Sequence, residues 1–351
     1  MRIKIILLLV HLCVFSFGWT ARPNNYVLVT GGAGYIGTQT CKALKEAGFS
    51  PIIYDNLSRA YDANLKWGVL IEGDISDRQK LGKVIDQYHP IAVVHVAGLK
   101  AVGESVRDPA KYYLNNVCGS AILLDVMREK GVKKIIFSST AAIYGPADGH
   151  SPFKEHQVCE PINPYGTSKW MVEKMIDDFE KAYGFEYVIF RYFNVAGADL
   201  EKKCGERNSI PNNLIPIILQ VAEGIRKELE VYGTDYPTSD GTAIRDYIHV
   251  MDLADAHVKA LKYLLQEKPS VILNLGTGKG ASVKEVIEMA KEITGKPIPS
   301  KLVPRRIGDP PSLTADAELA RELLGWEPKH SNLKTIIESE WNWNKTLRKG
   351  N

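Results

Sequence analysis

The sequence lacks the cysteine patterns of metal sites and of disulfide-bonded scaffolds. Its 5 cysteines show no Cys-x-x-Cys spacing, so we expect reduced thiols and no zinc; they are Cys13, Cys41, Cys118, Cys159 and Cys204. Basic clusters are also missing, because a net charge of +3 is spread over 351 residues, and this argues against a nucleic-acid partner. With 45% hydrophobic and 24% charged residues, the composition is that of a globular protein with room for one large core and a smaller lobe.

What the sequence does contain is a glycine-rich stretch directly after a short apolar segment. Tyr26 to Thr30 has the composition of a buried strand, and Gly31, Gly34 and Gly37 follow it at regular spacing. A helix-compatible segment continues from Tyr35 to Ala47. A strand, a tight turn and a helix N terminus in this order suit the pyrophosphate of a dinucleotide, because glycines let it approach the backbone and its charge meets free N–H groups.

An acidic residue stands where such a site would bind a ribose. Asp55 follows a second predicted strand, Pro51 to Tyr54, and a carboxylate at this place accepts hydrogen bonds from the adenosine ribose. The same charge repels a 2′-phosphate, so the sequence favours NAD over NADP as the cofactor. A merely structural tight turn is the alternative explanation of the glycines.

Strand and helix signals then alternate along the chain. Further strands are predicted, with helices between them, at residues 69–71, 91–96, 134–138 and 187–191. This alternation predicts an α/β fold with a Rossmann-type, doubly wound parallel sheet, whose ligands lie beyond the carboxyl ends of the strands. Shorter elements follow from Asn194. We therefore expect an NAD-binding domain over residues 24–193 and, mainly over residues 194–349, a smaller α/β lobe for the substrate.

A second set of polar residues follows the predicted strand at residues 134–138. Thr140 lies just beyond it, and Asn163-Pro164 suits the start of a helix that carries Tyr165 and Lys169 one turn apart on one face. An ammonium about 5 Å from the phenol contributes about 3 kcal/mol at an effective dielectric constant of about 20, which would lower the Tyr165 pKa from about 10 toward about 8. We predict that Tyr165, assisted by Lys169 and Thr140, takes a proton from an alcohol whose carbon gives hydride to NAD. An exposed Tyr and Lys without a chemical role are the alternative.

These residues also carry a resemblance. The glycine stretch together with Tyr165-x-x-x-Lys169 resembles the extended short-chain dehydrogenase/reductase family, which contains NAD-dependent epimerases and dehydratases, and the match is closer still to UDP-glucose 4-epimerases. It covers nearly everything from residue 26 to the C terminus. The further motifs that carry it are AGLKAVGES from Ala97, YYLNNV from Tyr112, FSSTAAIYG from Phe137, NPYGTSK from Asn163, RYFN from Arg191, IPNNL from Ile210, DGTAIRDYIHVMDLADAHV from Asp240 and PRRIGDPP from Pro304.

The resemblance implies a set of site residues. Those implied to line the NAD site are Gly31, Gly34, Tyr35, Ile36, Gly37, Asp55, Asn56, Asp74, Ile75, Ala97, Lys100, Asn115, Thr140, Tyr165, Lys169 and Phe193. Those implied to hold the UDP part of the substrate are Asn194, Asn213, Arg245, Arg306 and Asp309, with Tyr232 near the uracil. Arginines suit a diphosphate because they bind it bidentately, although each of these side chains taken singly also fits a surface ion pair, a turn or a helix cap.

The implied reaction interconverts UDP-galactose and UDP-glucose. Tyr165 would take the proton of the sugar O4 while hydride passes from C4 to tightly bound NAD, and the resulting 4-keto sugar would turn over and take the hydride back on its other face. Leu313 stands where relatives gate sugar size, so 4-epimerases of UDP-N-acetylglucosamine, UDP-xylose or UDP-arabinose, and UDP-glucuronate remain alternatives. A dehydratase is not expected, because Ala141 and Ala142 stand where dehydratases place acidic residues. A silent binding protein would require loss of the tyrosine–lysine pair, which is present.

The first 22 residues differ from the rest of the chain. Arg2 and Lys4 precede an apolar run from Ile5 to Phe17, so residues 1–22 resemble a signal peptide or a short anchor, and the run is too short to indicate a membrane span. A start site placed too early is the alternative. We expect a cytoplasmic enzyme because NAD is an intracellular cofactor, and because Asn56-Leu57-Ser58 would be a glycosylation sequon beside the ribose of an exported chain. Membrane contact is expected only if the leader is retained.

Assembly and pathway are less determined by the sequence. The resemblance implies a homodimer built from paired helices, for which residues 112–128 and 170–183 are the candidates. Packing inside one chain would explain the same apolar positions. Galactose catabolism and the supply of sugars for a polysaccharide are both compatible with the motifs.

Overall fold

The computed structural model describes residues 25–59, 66–145, 151–207, 211–306 and 309–349, so the leader predicted at residues 1–22 lies outside the described residues. The strands are β1 (Tyr26–Thr30), β2 (Ser50–Asp55), β3 (Val69–Glu72), β4 (Ala92–His95), β5 (Lys134–Ser138), β6 (Glu186–Tyr192), β7 (Asn194–Ala196), β8 (Leu229–Tyr232), β9 (Ile244–His249), β10 (Val271–Leu275), β11 (Gly280–Ser282), β12 (Ser300–Val303) and β13 (Ser312–Leu313). The helices are α1 (Tyr35–Glu46), α2 (Arg78–Tyr88), α3 (Val102–Arg107), α4 (Pro109–Tyr112), α5 (Gly119–Glu129), α6 (Pro164–Tyr183), α7 (Leu214–Ala222), α8 (Val250–Leu265), α9 (Val283–Thr294), α10 (Glu318–Leu324) and α11 (Leu333–Lys349).

The largest sheet has seven parallel strands in the order β10-β6-β5-β4-β1-β2-β3. The chain moves outward from β1 to β2 and β3, and then crosses back to β4 on the other side of β1. Loops that follow β1 and β4 therefore diverge, which opens a crevice at the carboxyl ends of these strands. The predicted Rossmann-type sheet is confirmed.

Both faces of this sheet are covered, which explains its continuous apolar strands. In β1, Val27 and Val29 pack toward α1 and α8, and Leu28 packs toward α2, α5 and α6; all three side chains have no exposed surface. Successive side chains of the strand point to opposite faces of the sheet and so contribute to two separate apolar layers.

The smaller lobe has its own core. Strands β7, β9, β11 and β13 form one small sheet, and β8 pairs with β12. Their apolar faces meet α7, α9 and α11 around Ile218, Leu219, Val286 and Ile336. Both β8 and β9 belong to the region after Asn194 in which the sequence predicted shorter elements.

Two elements that follow Asn194 in the chain, a helix and a strand, are part of the domain built around the large sheet. Helix α8 packs beside α1, and β10 pairs with β6 as an edge strand of that sheet. The predicted division near residue 193 thus separates the lobes only in part, since the chain returns to the first one over residues 250–275.

The helical region predicted between the strands at residues 91–96 and 134–138 is interrupted. Residues Tyr113–Cys118 form a π-helical turn between α4 and α5. Such turns are common at functional sites and leave no simple mark in the hydrophobic pattern. No helix within the described ranges is long and apolar enough to span a lipid bilayer.

Candidate active site

Two of the three regularly spaced glycines after β1 are required by the packing of the chain itself. Gly31 has φ of +71°, and a Cβ there would lie 2.6 Å from the backbone nitrogen of Ala97. A Cβ on Gly37 would overlap the carbonyl oxygen of Gly31. These contacts hold the turn between β1 and α1 against the end of β4.

Gly34 has a different reason to be a glycine. Its φ of −75° and ψ of 177° suit any residue, and a Cβ would only reach 3.4 Å from the Gly31 carbonyl oxygen. It is the N-cap of α1, and no side chain caps that helix. The missing side chain therefore leaves an open approach to the N–H groups at the start of α1, near Tyr35 and Ile36. This fits the pyrophosphate of a dinucleotide.

The residues predicted for the ribose end lie at the neighbouring strand ends. Asp55 accepts hydrogen bonds from the backbone nitrogens of Ala33, at 3.0 Å, and Leu57, at 2.8 Å. Burial raises the pKa of its carboxyl, and these two bonds oppose the rise. Asn56 donates to Asp74 at 2.7 Å. The structure thus brings the predicted acid and its neighbours together beside the glycine turn.

Next to them, the π-helical turn faces the same crevice through a residue that the sequence did not single out. Asn116 is buried, and its amide oxygen accepts from the Leu99 nitrogen at 2.8 Å and from the predicted NAD contact Asn115 at 2.9 Å. Its amide nitrogen donates to Ser168 in α6 at 3.0 Å. Asn116 therefore connects the loop after β4 to the helix of the predicted catalytic pair, and only the doubled asparagine in the sequence could have indicated it.

The three predicted catalytic side chains converge at the end of β5. Asn163 caps α6 by accepting from Gly166 at 2.9 Å, as predicted. In the first turns of this helix, Tyr165 and Lys169 are 9% and 5% exposed, and Thr140, at 7%, lies within hydrogen-bonding reach of the Tyr165 hydroxyl. Lys169 donates to the Ser138 carbonyl oxygen at 3.0 Å. The pair is buried, so the alternative of an exposed Tyr and Lys is excluded.

The predicted fall in the Tyr165 pKa is wrong for the protein chain by itself. Burial raises the pKa of the phenol, and the hydrogen bond with Thr140 opposes the rise. Burial also lowers the pKa of Lys169 to about 8, against the effect of Glu173. Helical spacing correctly placed both side chains in the first turns of α6, but desolvation depends on their tertiary cover and is the first cause of both shifts.

The remaining residues predicted for the cofactor lie on the walls of this crevice. Lys100 is exposed and approaches Glu206 at 3.5 Å, with its ammonium 6.0 Å from the centre of the Tyr35 ring. Phe193 is buried against the apolar cluster of Ala141 and Ile143, directly after Thr140. Ile75 packs against Gly119, where a Cβ would be 2.7 Å from the Ile75 Cδ1 atom.

Four of the six residues predicted for the substrate form two pairs. Arg245 makes an ion pair with Asp309, and its guanidinium also donates to the carbonyl oxygen of Pro310 at 3.0 Å. The Arg306 guanidinium lies 3.9 Å from the centre of the Tyr232 ring, which is a cation–π contact. Arg245 is therefore held by a partly exposed ion pair, as the alternative explanation also allows, whereas Arg306 lies over an aromatic ring.

The other two predicted substrate residues start secondary-structure elements of the smaller lobe. Asn194 opens β7, which pairs with the strand of Arg245. Asn213 is the N-cap of α7, and its side chain makes no capping bond to that helix, so the alternative of a simple cap does not explain it. Leu313 pairs in register with Arg245 and packs on the cluster that contains Ala141 and Ile143.

Comparison with known proteins gives the same result over nearly the whole chain. Residues 27–276 match the NAD dependent epimerase/dehydratase family. A UDP-glucose 4-epimerase of Halalkalibacterium halodurans is 49% identical over 319 residues, which cover 91% of this chain and 95% of that protein. The structure is similar to UDP-glucose 4-epimerase from Brucella ovis in complex with NAD, with TM-score 0.87, 47% identity and coverage of 90% and 97% of the two chains. It is also similar to the enzyme from Bifidobacterium longum in complex with NAD+ and UDP, with TM-score 0.87, 41% identity and coverage of 93% and 100%.

Proposed function

We propose a function from one premise: the chain belongs to the NAD dependent epimerase/dehydratase family. It interconverts UDP-galactose and UDP-glucose through a 4-keto sugar, with NAD retained through turnover. The observation that carries this proposal is the buried Tyr165–Thr140–Lys169 group at the end of β5, beside a glycine turn that fits a pyrophosphate. The alanines after Thr140 support an epimerase, because they supply no acid to expel a hydroxyl group.

In this mechanism Tyr165 moves a single proton out and back. Its phenolate takes the proton of the sugar O4, and the same phenol returns a proton to O4 after the keto sugar has turned. Thr140 hydrogen-bonds at the same oxygen and so fixes it within reach of the phenol. The cofactor, when bound, would accept the C4 hydride and later return it. In its oxidised form it would also supply a positive charge.

Lys169 contributes the positive charge that a buried phenolate needs. Because burial raises the pKa of Tyr165, the phenolate forms only where a neighbouring cation favours it. The pKa of Lys169 is about 8, so its ammonium predominates at neutral pH and is lost as the pH rises through that value. Activity is therefore expected to fall on the alkaline side of about pH 8.

The substrate residues divide the UDP-sugar between them. Arg245 binds the diphosphate, with Asp309 holding its guanidinium in place, and the stacked pair of Tyr232 and Arg306 binds the uracil end. Asn194 and Asn213 supply amide groups to the nucleotide. This assignment is supported by the strand pairing that brings Asn194 beside the strand of Arg245.

A second candidate is a 4-epimerase that also accepts N-acetylated sugars. Leu313 is compatible with it, because leucine is of intermediate size at the position where relatives gate sugar size, and its side chain packs on the cluster beside Thr140. The same proton transfer by Tyr165 serves both substrates. UDP-xylose, UDP-arabinose and UDP-glucuronate differ at C6 and stay as further substrates to be tested.

The deciding experiment supplies UDP-galactose to the purified protein without added NAD and follows UDP-glucose by NMR. Tyr165→Phe should reduce kcat about 1000-fold, because the general base is lost. Tyr183→Phe, at an exposed position of the same helix, should leave kcat unchanged. Parallel samples with UDP-N-acetylgalactosamine and UDP-arabinose distinguish the substrates. If no sugar is converted even with NAD supplied, the 4-epimerase assignment for these sugars fails.

We also propose a cytoplasmic homodimer. The proposed location rests on the dependence on NAD. Fractionation of cells that express the full-length chain should find the enzyme in the cytoplasm, and its recovery in the exported fraction would contradict the proposal. The dimer would use the face of α3, α6 and the π-helical turn, where Val106 and Leu114 are 62% and 67% exposed and Met171 is 41% exposed. Light scattering on the Leu114→Glu variant should show a monomer if this face is the interface.

A further inference from the structure

A buried ion pair lies one helical turn beyond Lys169. Glu173 in α6 and Arg191 in β6 are 3% and 4% exposed, and the Arg191 Nη2 lies 2.7 Å from a Glu173 carboxylate oxygen. The Arg191 Nε adds contacts of 3.2 Å to both carboxylate oxygens. Such a pair loses much of its attraction to desolvation, so stability alone does not account for its place beside the catalytic group.

The carboxylate also bonds to the strand end that carries Thr140. The Ser139 hydroxyl donates to Glu173. On one side of Ser139, the carbonyl oxygen of Ser138 accepts from the Lys169 ammonium, and on the other side stands Thr140. Glu173 thus connects α6 with the segment between the Lys169 contact and the Tyr165 contact.

Arg191 anchors the pair to the rest of the large sheet. Its Nη1 donates to the Tyr144 hydroxyl at 3.2 Å, and the Tyr144 hydroxyl donates to Asn274 of β10 at 2.6 Å. The Tyr144 ring also lies 5.2 Å from the guanidinium. The pair is therefore held on its far side by a second strand, which leaves Glu173 little freedom to turn away from Lys169.

The charges around Lys169 make Glu173 its electrostatic partner. His95 of β4 is neutral, because burial and Lys169 lower its pKa to about 3. The phenols of Tyr165 and of Tyr192 in β6 are also neutral, because burial raises the pKa of both. Burial lowers the pKa of Lys169, and Glu173 is the group that opposes this.

We propose that Glu173 is a positioning residue of the active site, which fixes α6 against Ser139 and Arg191 and keeps the Lys169 ammonium charged behind Tyr165. This rests on the proposed role of Lys169 in proton transfer. Glu173 itself touches none of the reacting groups and acts through Lys169. Arg191 holds the carboxylate in place and partly balances its charge.

The test is a proton titration of Lys169 in Glu173→Gln. The Cε resonance of Lys169, in protein labelled with ¹³C-lysine and assigned by its loss in Lys169→Met, should titrate about one pH unit lower than in the parent. The alkaline limb of the kcat profile should move by the same amount in the same direction. Glu173→Asp keeps the charge and should restore both values. Asp177→Asn removes a partly exposed acid, paired with Lys181, from the same helix and should change neither.

A second variant serves as a control in case Glu173→Gln does not fold. Glu173→Gln combined with Arg191→Met leaves no unpaired guanidinium, so it should fold even if the single variant does not. A lowered Lys169 titration in either variant, with Asp177→Asn unchanged, supports the proposal. An unchanged Lys169 titration in a folded variant overturns it. The resonance reports on Lys169 even if the parent converts no UDP-sugar, so this result is independent of the proposed reaction.

Discussion

The two halves of the candidate site are built in different ways. On the cofactor side, Gly31 and Gly37 are fixed by contacts between backbone atoms of β1, α1 and the end of β4. On the substrate side, Arg245 and Arg306 are fixed by an ion pair and a ring contact with other side chains. The cofactor side is therefore formed by the backbone packing of the fold itself, whereas the substrate side is formed by side-chain contacts added to that fold.

This difference matches what each half must do. A cofactor that stays through turnover can be held by a rigid backbone whose N–H groups are already oriented, since nothing has to reorganise. A substrate that enters and leaves at every turnover needs groups that bind well without being part of the folding core. Changes at Gly31 and Gly37, which the chain itself packs against, should therefore affect folding and function together, and changes on the substrate side should mainly affect affinity.

The largest effect is expected where the comparison is sharpest, at the glycine turn. Gly31→Ala places a side chain at φ +71° and 2.6 Å from the Ala97 nitrogen, so it should destabilise the protein by about 3 kcal/mol. Gly34→Ala has no such conflict and should lower stability by less than about 1 kcal/mol through the weaker N-cap. Both variants should purify with little NAD.

Urea unfolding and the NAD content of the denatured protein measure the two effects. The pair of variants separates packing from ligand approach, because only Gly34 is left open by the chain itself. Normal NAD content in Gly34→Ala would show that the pyrophosphate does not pass over this position.

A smaller effect is expected for Arg245→Met on the substrate side. Loss of a bidentate contact to a diphosphate should raise KM for UDP-galactose about 50-fold, with kcat changed much less. The Arg245 side chain is 14% exposed, and its partner Asp309 is 29% exposed, so the carboxylate left behind can be hydrated and unfolding should change little. Steady-state kinetics and urea unfolding measure both. A loss of folding equal to that of Gly31→Ala would remove the distinction between the two halves.

A weaker contact should give a weaker effect still. Tyr232→Leu removes the ring beneath the Arg306 guanidinium and should raise KM about 5-fold, in line with an exposed cation–π contact. Tyr232→Phe keeps the ring and loses only the hydroxyl group, which donates to the exposed Glu230. It should therefore behave as the parent in the same assay. Equal losses in the two variants would assign the effect to the hydroxyl instead of the ring.

The two halves also differed in how well the sequence predicted them. The sequence predicted the strand at Tyr26–Thr30, the glycine turn and the capped helix at Pro164, because local residue types determine backbone geometry of this kind. The pairing of Arg245 with Asp309 was not, because it joins residues far apart in sequence. Contacts between residues far apart in sequence also determine the burial that raises the pKa of Tyr165 and the return of residues 250–275 to the large sheet, so the sequence did not predict these either.

A change in the preference between two sugars, and not in affinity for the nucleotide, is expected at Leu313, where the two halves meet. Leu313→Ala should raise the kcat/KM for UDP-N-acetylgalactosamine relative to UDP-galactose about 10-fold, and Leu313→Tyr should lower that ratio by a similar factor, because a pocket wall discriminates through a few methylene groups. Ser312→Ala is the control, since its side chain leaves the strand on the opposite face. Competition between the two sugars in one tube measures the ratio directly. A ratio that stays constant across Leu313→Ala and Leu313→Tyr would mean that the N-acetyl group does not meet this strand, and the size gate would have to lie on the Thr140 side of the pocket.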